Sequence, residues 1–215
     1  MSLPSRVLVS IGLPILCAVS VLGQQAKTPA PPAAPAPAKG GSASAPAATS
    51  PAKAPSFRLT STDVKNGTFA DAQILNTFGC TGGNVSPALA WTNPPEGTKS
   101  FVLTLFDPDA PTGSGFWHWV VINIPATAKG LPNGASKTAA KLPAGALETR
   151  TDFGTPGYGG PCPPAGDKPH RYVFTLHALK VDKLDLDAQT SAALVGFNVH
   201  TNEIGAATLN ARYGR

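Results

Sequence analysis

Three stretches of the sequence have apolar residues on both alternating faces, and this pattern restricts the fold more than any other feature. They cover residues 99–107, 117–124 and 171–179. In the first stretch, Phe101 and Leu103 point to one face and Val102 points to the other. A strand with two apolar faces is typical of a sheet that is covered on both sides. The chain is therefore predicted to be mainly β, with a large central sheet.

Shorter apolar stretches predict further strands, at residues 57–60, 73–76 and 89–91. The dipeptide Asn66-Gly67 predicts a tight turn between the first two, because both residues tolerate a positive φ. Residues 125–169 are rich in Gly and Pro and have few apolar runs. A segment of this length predicts a long ordered loop system, and such loops are usually functional.

One region near the C-terminus has apolar residues at roughly helical spacing, from Thr190 to Leu209. It includes Gly196 and Gly205, which weaken a helix but do not exclude one. Either Asp187 or Thr190 is expected to cap its start. The sequence thus predicts a helix over 190–209.

The N-terminal residues 1–23 are typical of a secretory signal peptide. Arg6 precedes an uncharged, mainly apolar run, Val7–Leu22, which is short for a membrane span. Small residues favour cleavage after Ser20 or after Gly23. The sequence leaves open an uncleaved anchor and a lipoprotein attached at Cys17. The protein is therefore expected to be exported, either periplasmic or secreted.

Residues 24–55 form a linker, and residues 56–215 form the folded domain. Of the 32 linker residues, 20 are Ala or Pro, and none is aromatic or acidic. Such a composition buries too little apolar surface to offset the entropy of ordering, so we expect a disordered linker. Two roles are open for this linker. It either holds the folded domain away from a membrane or wall, or it is only a flexible tail that is left after cleavage of the signal.

The net charge of +5 comes mainly from residues outside the domain. Residues 1–55 hold four bases and no acid, which leaves 13 bases and 12 acids for residues 56–215. Nucleic-acid binding needs a strongly basic surface that displaces counterions. A nearly neutral domain therefore argues against a nucleic-acid partner.

Removal of the signal leaves two cysteines, Cys80 and Cys162. An oxidising compartment allows them to form a disulfide bond, but the sequence does not show that they approach each other. Two free thiols remain an equal alternative. We do not expect them to bind a structural metal, because no neighbouring Cys or His spacing completes a tetrahedral site.

The polar residues of greatest interest lie where the predicted central strands begin or end. Asp107-Pro-Asp-Ala-Pro111 follows the first strand, and His118 begins the second. His170 and Tyr172 are two residues apart, so they project from the same face of the third strand, whereas His177 has the opposite parity.

The loop of residues 157–164, Gly-Tyr-Gly-Gly-Pro-Cys-Pro-Pro, leads towards His170. Its glycines allow a ligand to approach backbone amides, and its prolines stiffen it. If these groups converge, they form a small anion pocket in which Asp107 orients and charges a histidine. A metal site made of Asp107, His118 and His170 is the alternative. The tripeptide Asp152-Phe-Gly154 is similar to a kinase motif, but the kinase order and Gly-rich loop are missing.

Four motifs in a fixed order carry a family resemblance. They are Asn84-Val-Ser-Pro-Ala-Leu-Ala-Trp91, Asp107-Pro-Asp-Ala-Pro111, Phe116-Trp-His-Trp-Val-Val-Ile-Asn123, and Gly159-Gly-Pro-Cys-Pro-Pro164 followed by His170-Arg-Tyr-Val-Phe174. They resemble the phosphatidylethanolamine-binding proteins, and in particular the bacterial Raf kinase inhibitor-like branch. The resemblance covers about residues 57–213.

The resemblance implies a large central β-sheet packed with a smaller sheet, with a few short helices near the C-terminus. It also implies a small pocket for phosphate-like anions and phospholipid head groups. By motif, the residues that line this pocket, form its loop or support its floor would be Asp107, His118, His170, Tyr172, Gly160, Pro163, Pro164, Asp109 and Pro111. Trp117 and Cys162 depart from the pattern of the eukaryotic members. These two departures affect the expected lipid preference more than the expected presence of the pocket.

Three functions follow from this sequence-based interpretation. The leading one is an exported, non-catalytic binding module for a phosphate-bearing ligand or phospholipid head group. The alternative is an interaction protein that inhibits a protease or kinase, of which the protease is the more credible target for an exported domain. The second alternative is a hydrolase in which Asp107 and His118 form an acid–base pair. No cofactor is predicted.

Overall fold

The computed structural model describes residues 55–136 and 141–215, so the predictions for the signal, for Cys17 and for nearly all of the linker lie outside the described residues. The strands, in chain order, are β1 (Arg58–Thr60), β2 (Val64–Lys65), β3 (Thr68–Phe69), β4 (Leu89–Thr92), β5 (Ser100–Asp107), β6 (Phe116–Pro125), β7 (Gly130–Leu131), β8 (Leu147–Glu148), β9 (His170–Leu179) and β10 (Glu203–Tyr213). Helix α1 (Ala192–Asn202) connects β9 to β10.

The strands form two sheets, a small one of order β1-β4-β7 and a large one of order β2-β3-β10-β9-β5-β6-β8. The three predicted central strands are confirmed as β5, β6 and β9, each with bounds within one residue of the expectation. β5 pairs antiparallel with both β6 and β9. Consequently the last residues of β5 and the first residues of β6 and β9 lie side by side, at one end of these three strands.

Both faces of β5 and β6 are buried, as the two-faced strands predicted, whereas one face of β9 and β10 is partly exposed. On one face, Phe101 and Leu103 pack with Trp91 of the small sheet. On the other face, Val102 packs with Val195 of α1. Each fully buried side chain of this size contributes about 1.5 to 3 kcal/mol relative to an exposed one. Layers on both faces therefore hold the central strands in place.

The shorter strand predictions are partly confirmed. Residues 57–60 and 89–91 correspond to β1 and β4, and Asn66-Gly67 is a tight turn between β2 and β3 with φ values of 52° and 72°. The strand predicted over 73–76 is wrong. A 3-10 turn covers Asp71–Gln73, and the Leu75 N–H donates to the carbonyl oxygen of Pro161. This segment therefore pairs with a loop instead of a sheet.

The helix predicted over 190–209 is wrong in its second half, because α1 ends at Asn202 and β10 follows directly. From Glu203 onward the chain forms a ladder with β9, and Ala207 and Ala211 are buried at a spacing that suits a strand as well as a helix. The cap is Ser191, whose side chain accepts a hydrogen bond from the Leu194 N–H.

Cys80 and Cys162 form a disulfide bond, with 6.1 Å between their Cα atoms. This answers the question that the sequence left open. Within residues 125–169, the predicted long loop system contains only the short strands β7 and β8 among its described residues. In the described part of the chain, no helix has the length and apolar character that a membrane crossing requires.

Candidate functional site

A cavity of about 380 Å³ lies where the end of β5 meets the starts of β6 and β9. We call it the strand-end cavity. Eight of the nine residues singled out in the sequence line it: Asp107, Pro111, His118, Gly160, Pro163, Pro164, His170 and Tyr172. The antiparallel pairing of β5 with both neighbours brings these distant motifs together.

The buried carboxylate of Asp107 is the polar centre of the cavity. Its Oδ1 accepts a hydrogen bond of 2.8 Å from the Asp109 N–H, and its Oδ2 accepts one of 2.8 Å from Nδ1 of His170. The Tyr172 side chain lines the same cavity, close enough for Asp107 to affect its pKa. Burial, followed by the charge of Asp107, raises the pKa of Tyr172. Asp107 therefore orients His170 and does not itself offer donors to a ligand.

His118 is buried, and its orientation depends on one hydrogen bond. Nδ1 lies 2.8 Å from the carbonyl oxygen of Gly159, so this nitrogen carries a proton and donates it. The ring packs edge-on against Tyr172 and Phe153, with centroid distances of 5.2 and 5.4 Å. Burial lowers the pKa of His118. The ring is therefore neutral at pH 7, and Nε2 carries a free lone pair.

The two histidines differ in their partners. Asp107 pairs with His170, whereas the sequence had left open which histidine it would orient. Nε2 of His170 lies 3.5 Å from a carboxylate oxygen of the partly exposed Asp167. Within the described residues, no group of three His, Cys, Asp or Glu side chains is placed to hold a metal ion.

Two of the Gly-Pro loop amides that the sequence suggested for a ligand are already used within the protein. The Gly160 N–H donates to the side-chain oxygen of Asn84 at 2.8 Å, and the Gly159 N–H donates to the carbonyl oxygen of His118 at 2.9 Å. A Cβ on Gly160 would lie 2.2 Å from the carbonyl oxygen of Gln73. Gly160 is therefore required for close packing behind the cavity.

Asp109 is the one candidate residue that does not line the cavity. Its carboxylate accepts hydrogen bonds from the backbone N–H of Arg171 and from Nε and Nη2 of the same residue, at 2.8, 2.9 and 2.7 Å. These bonds hold the pKa of Asp109 well below its usual range. Asp109 thus ties the turn after β5 to the start of β9.

Sequence reasoning missed the apolar wall of the cavity, which is formed by Leu75, Phe78, Phe116 and Phe153. Phe78 is 75% exposed and has a positive φ of 53°, which is unusual for a bulky residue. Phe153 belongs to the tripeptide that was set aside as a kinase look-alike. The preceding Asp152 also lines the cavity and accepts a hydrogen bond from the Trp117 N–H.

The Trp117 side chain lies away from the cavity, where its ring packs against Phe106 at a centroid distance of 4.4 Å. Cys162 lines the cavity and is tied to Cys80 by the disulfide bond. Pro163 accepts a hydrogen bond from Nε of Arg215 through its carbonyl oxygen. The two departures from the eukaryotic pattern thus differ, because Cys162 reaches the cavity and Trp117 does not.

Comparison with known proteins gives related sequences over most of the described chain. UPF0098 protein YbcL of Escherichia coli K12 is 50% identical over 164 residues, which cover 75% of this chain and 90% of YbcL. UPF0098 protein YbhB of the same organism is 48% identical over 158 residues, which cover 73% of this chain and 99% of YbhB. LppC of Mycobacterium tuberculosis, which is named as a candidate lipoprotein, is 41% identical over 114 residues, or 53% of each chain.

Solved structures and family models agree with these relatives. The crystal structure of E. coli YbcL matches with a TM-score of 0.72 and 49% identity, over 74% of this chain and 98% of that one. The family model for phosphatidylethanolamine-binding protein matches residues 60–214. Together with the mainly β fold, these matches show that the chain belongs to the phosphatidylethanolamine-binding protein family.

Proposed function

We propose that the strand-end cavity binds a phosphate-bearing ligand, such as a phosphate ester or a phospholipid head group, without catalysis. The observation that carries this proposal is the convergence of His118, His170, Tyr172 and Asp107 around one cavity. The apolar wall beside them favours a ligand whose phosphate is attached to an apolar group. Both features suit a head group with part of its lipid.

The neutral state of His118 determines how a phosphate is bound. Its Nδ1 proton is used by Gly159, so a ligand meets the lone pair of Nε2. A phosphate monoester that keeps one proton donates it there, and the shared proton also offsets the buried negative charge of Asp107. The ligand and one proton therefore bind together. This modifies the sequence-based hypothesis of a histidine that is already charged in the free protein.

Two contacts favour binding over the acid–base hydrolase. Asp107 is surrounded by donors that fix its position, and it contacts His170 instead of an attacking group. The hydroxyl of Thr112, which lines the cavity, donates to the carbonyl oxygen of Gly115 and is not activated by a base. Hydrolysis needs a positioned nucleophile or water beside a base.

The test is calorimetric titration of a phosphate monoester into variants at position 118. A glycerophosphoethanolamine head group, which is a diester with no phosphate proton to donate to Nε2, is titrated for comparison and should respond less to the substitutions. His118→Asn keeps an amide donor for Gly159 but has no group in place of Nε2, whereas His118→Gln keeps a polar group near Nε2. We expect His118→Asn to weaken binding tenfold or more, because one charge-assisted contact is worth about 1.5 to 3 kcal/mol. His118→Gln should retain more affinity.

His177→Ala is the matched control, because His177 lies on the opposite face of β9 and bonds Glu203. Its affinity should equal that of the wild type. Equal losses in His118→Asn and His177→Ala, or no loss in either, would contradict the proposal. Release of phosphate from a phosphate monoester that disappears in His118→Asn would favour the hydrolase instead.

We also propose that residues 1–23 direct export and that residues 24–55 act as a linker. The apolar run of residues 7–22 supports this, as does a disulfide bond of the kind found in oxidising compartments. The name of LppC suggests membrane attachment of that relative. Mass spectrometry of the exported protein should find a chain that begins at Val21 or Gln24. An intact N-terminus in the membrane fraction would contradict cleavage.

A further inference from the structure

A second concave region lies on the other face of β9 from the strand-end cavity. Its volume is about 480 Å³, and we call it the arginine groove. The residues that line it are Asn66, Gly67, Arg171, Asn210, Ala211 and Arg212. Arg171 lies between His170 and Tyr172 in β9, so its side chain points away from the cavity that those two residues line.

Two arginines face each other in this groove. Arg171 of β9 is directly paired with Arg212 of β10 in the antiparallel ladder. Like charges at directly opposite positions are destabilising unless another charge compensates them. Asp109 compensates Arg171 through its two guanidinium hydrogen bonds. One further positive charge, that of Arg212, remains to be balanced.

Arg212 has no such carboxylate. Among residues 55–136 and 141–215, none accepts a hydrogen bond from its guanidinium group or forms an ion pair with it, and no acidic residue lines the groove. Its backbone is fixed all the same, because the Arg212 N–H donates to the carbonyl oxygen of Gly67 at 2.7 Å. The guanidinium group is thus held on a rigid strand with its donors unused.

Two amide side chains complete the polar lining. Asn66 lies in the turn between β2 and β3, where its positive φ and the bond from Arg212 to Gly67 hold that turn over β10. Asn210 lies two residues before Arg212 and therefore on the same face of β10. Within the described residues, neither amide side chain has a hydrogen-bond partner, so both can donate to a ligand.

We propose that the arginine groove is a second anion site, which binds a small oxyanion of the phosphate class. The planar guanidinium group of Arg212 presents paired donors that match two oxygens of a phosphate. Arg171 adds positive charge from the opposite strand while it keeps Asp109, and the amides of Asn66 and Asn210 supply further donors. The site shares no residue with the strand-end cavity, so it does not depend on the function proposed for that cavity.

The test follows the side-chain Nε–H signals of arginine by NMR while inorganic phosphate is added to the exported chain at constant ionic strength. We expect the Arg212 signal to shift and to saturate. Arg212→Gln should weaken this binding at least fivefold, measured on the Arg171 signal. Arg150→Gln removes the same charge at a distant site, where Nε bonds Gln189, and should have no effect.

The variant His118→Asn distinguishes phosphate binding in the arginine groove from binding in the strand-end cavity. It should leave the phosphate dependence of the Arg212 signal unchanged. Phosphate in a membrane is tested by flotation with phosphatidylcholine vesicles that contain phosphatidic acid. Weaker flotation of Arg212→Gln than of Arg150→Gln would identify a lipid source of the same chemistry. The proposal is overturned if the Arg212 signal does not saturate and flotation is equal in the two variants, or if His118→Asn abolishes the effect.

Discussion

Reduction of the disulfide bond between Cys80 and Cys162 should destabilise the domain strongly. The two residues are 82 positions apart. In the chain-entropy model, a crosslink that closes a loop of this length restricts the unfolded chain by about 4.5 kcal/mol at 25 °C. With a urea dependence of about 2 kcal/mol per molar for a domain of this size, the midpoint of unfolding should fall by about 2 M.

The assay is urea unfolding, followed by tryptophan fluorescence, of oxidised wild type, reduced wild type and the double variant Cys80→Ala with Cys162→Ala. Reduced wild type and the double variant should unfold at similar urea concentrations, and a reductant should not change the double variant. The double variant therefore separates loss of the crosslink from other effects of the reductant. If reduced and oxidised wild type unfold at the same urea concentration, the loop-closure argument is refuted.

Three further predictions concern two glycines and the cavity. Gly160→Ala should lower the melting temperature, at a cost of about 1 to 3 kcal/mol, because its Cβ would overlap a backbone oxygen. Gly196→Ala in the exposed face of α1 should raise the melting temperature and increase the free energy of unfolding by about 1 kcal/mol, because no atom lies within 4 Å of the added Cβ and Ala favours a helix. A change of the melting temperature in the same direction for both substitutions would contradict this reasoning. The dissociation constant of a phosphate monoester should rise about tenfold per pH unit above pH ~6, because binding takes up one proton that the dianion lacks and that neutral His118 does not supply. Calorimetry at several pH values checks this, and a flat profile would exclude proton uptake.

The central strands were predictable from the sequence because their burial is visible in the apolar pattern itself. Phe101 and Val102 are neighbours on opposite faces, and both are fully buried. The strand β10, which replaces the second half of the predicted C-terminal helix, was not predictable in this way. Ala207 and Ala211 are four residues apart, a spacing that places them on one face of a helix and equally on one face of a strand. Pairing with β9, which a local pattern does not show, decides between the two.

In the candidate site, too, some features were predictable from the sequence and others were not. The strand parity of His170 and Tyr172 predicted that they share a face, and both line the strand-end cavity. The state of His118 was not predictable, because its proton is fixed by a carbonyl group more than 40 residues away. Phe153 was missed because it lies in a loop without periodicity. Long-range contacts of this kind decide the chemistry of the cavity but leave no local signal.

The position of β10 has a consequence for how the domain folds. This strand is the last in the chain, yet it lies inside the large sheet, between β3 and β9. The sheet is therefore completed only after residues 203–213 are available, and the pairing with β3 joins segments far apart in the chain. Topologies that are dominated by such distant pairings fold slowly. Until β10 is in place, β9 presents a long unpaired edge, which is the kind of surface through which incomplete chains aggregate.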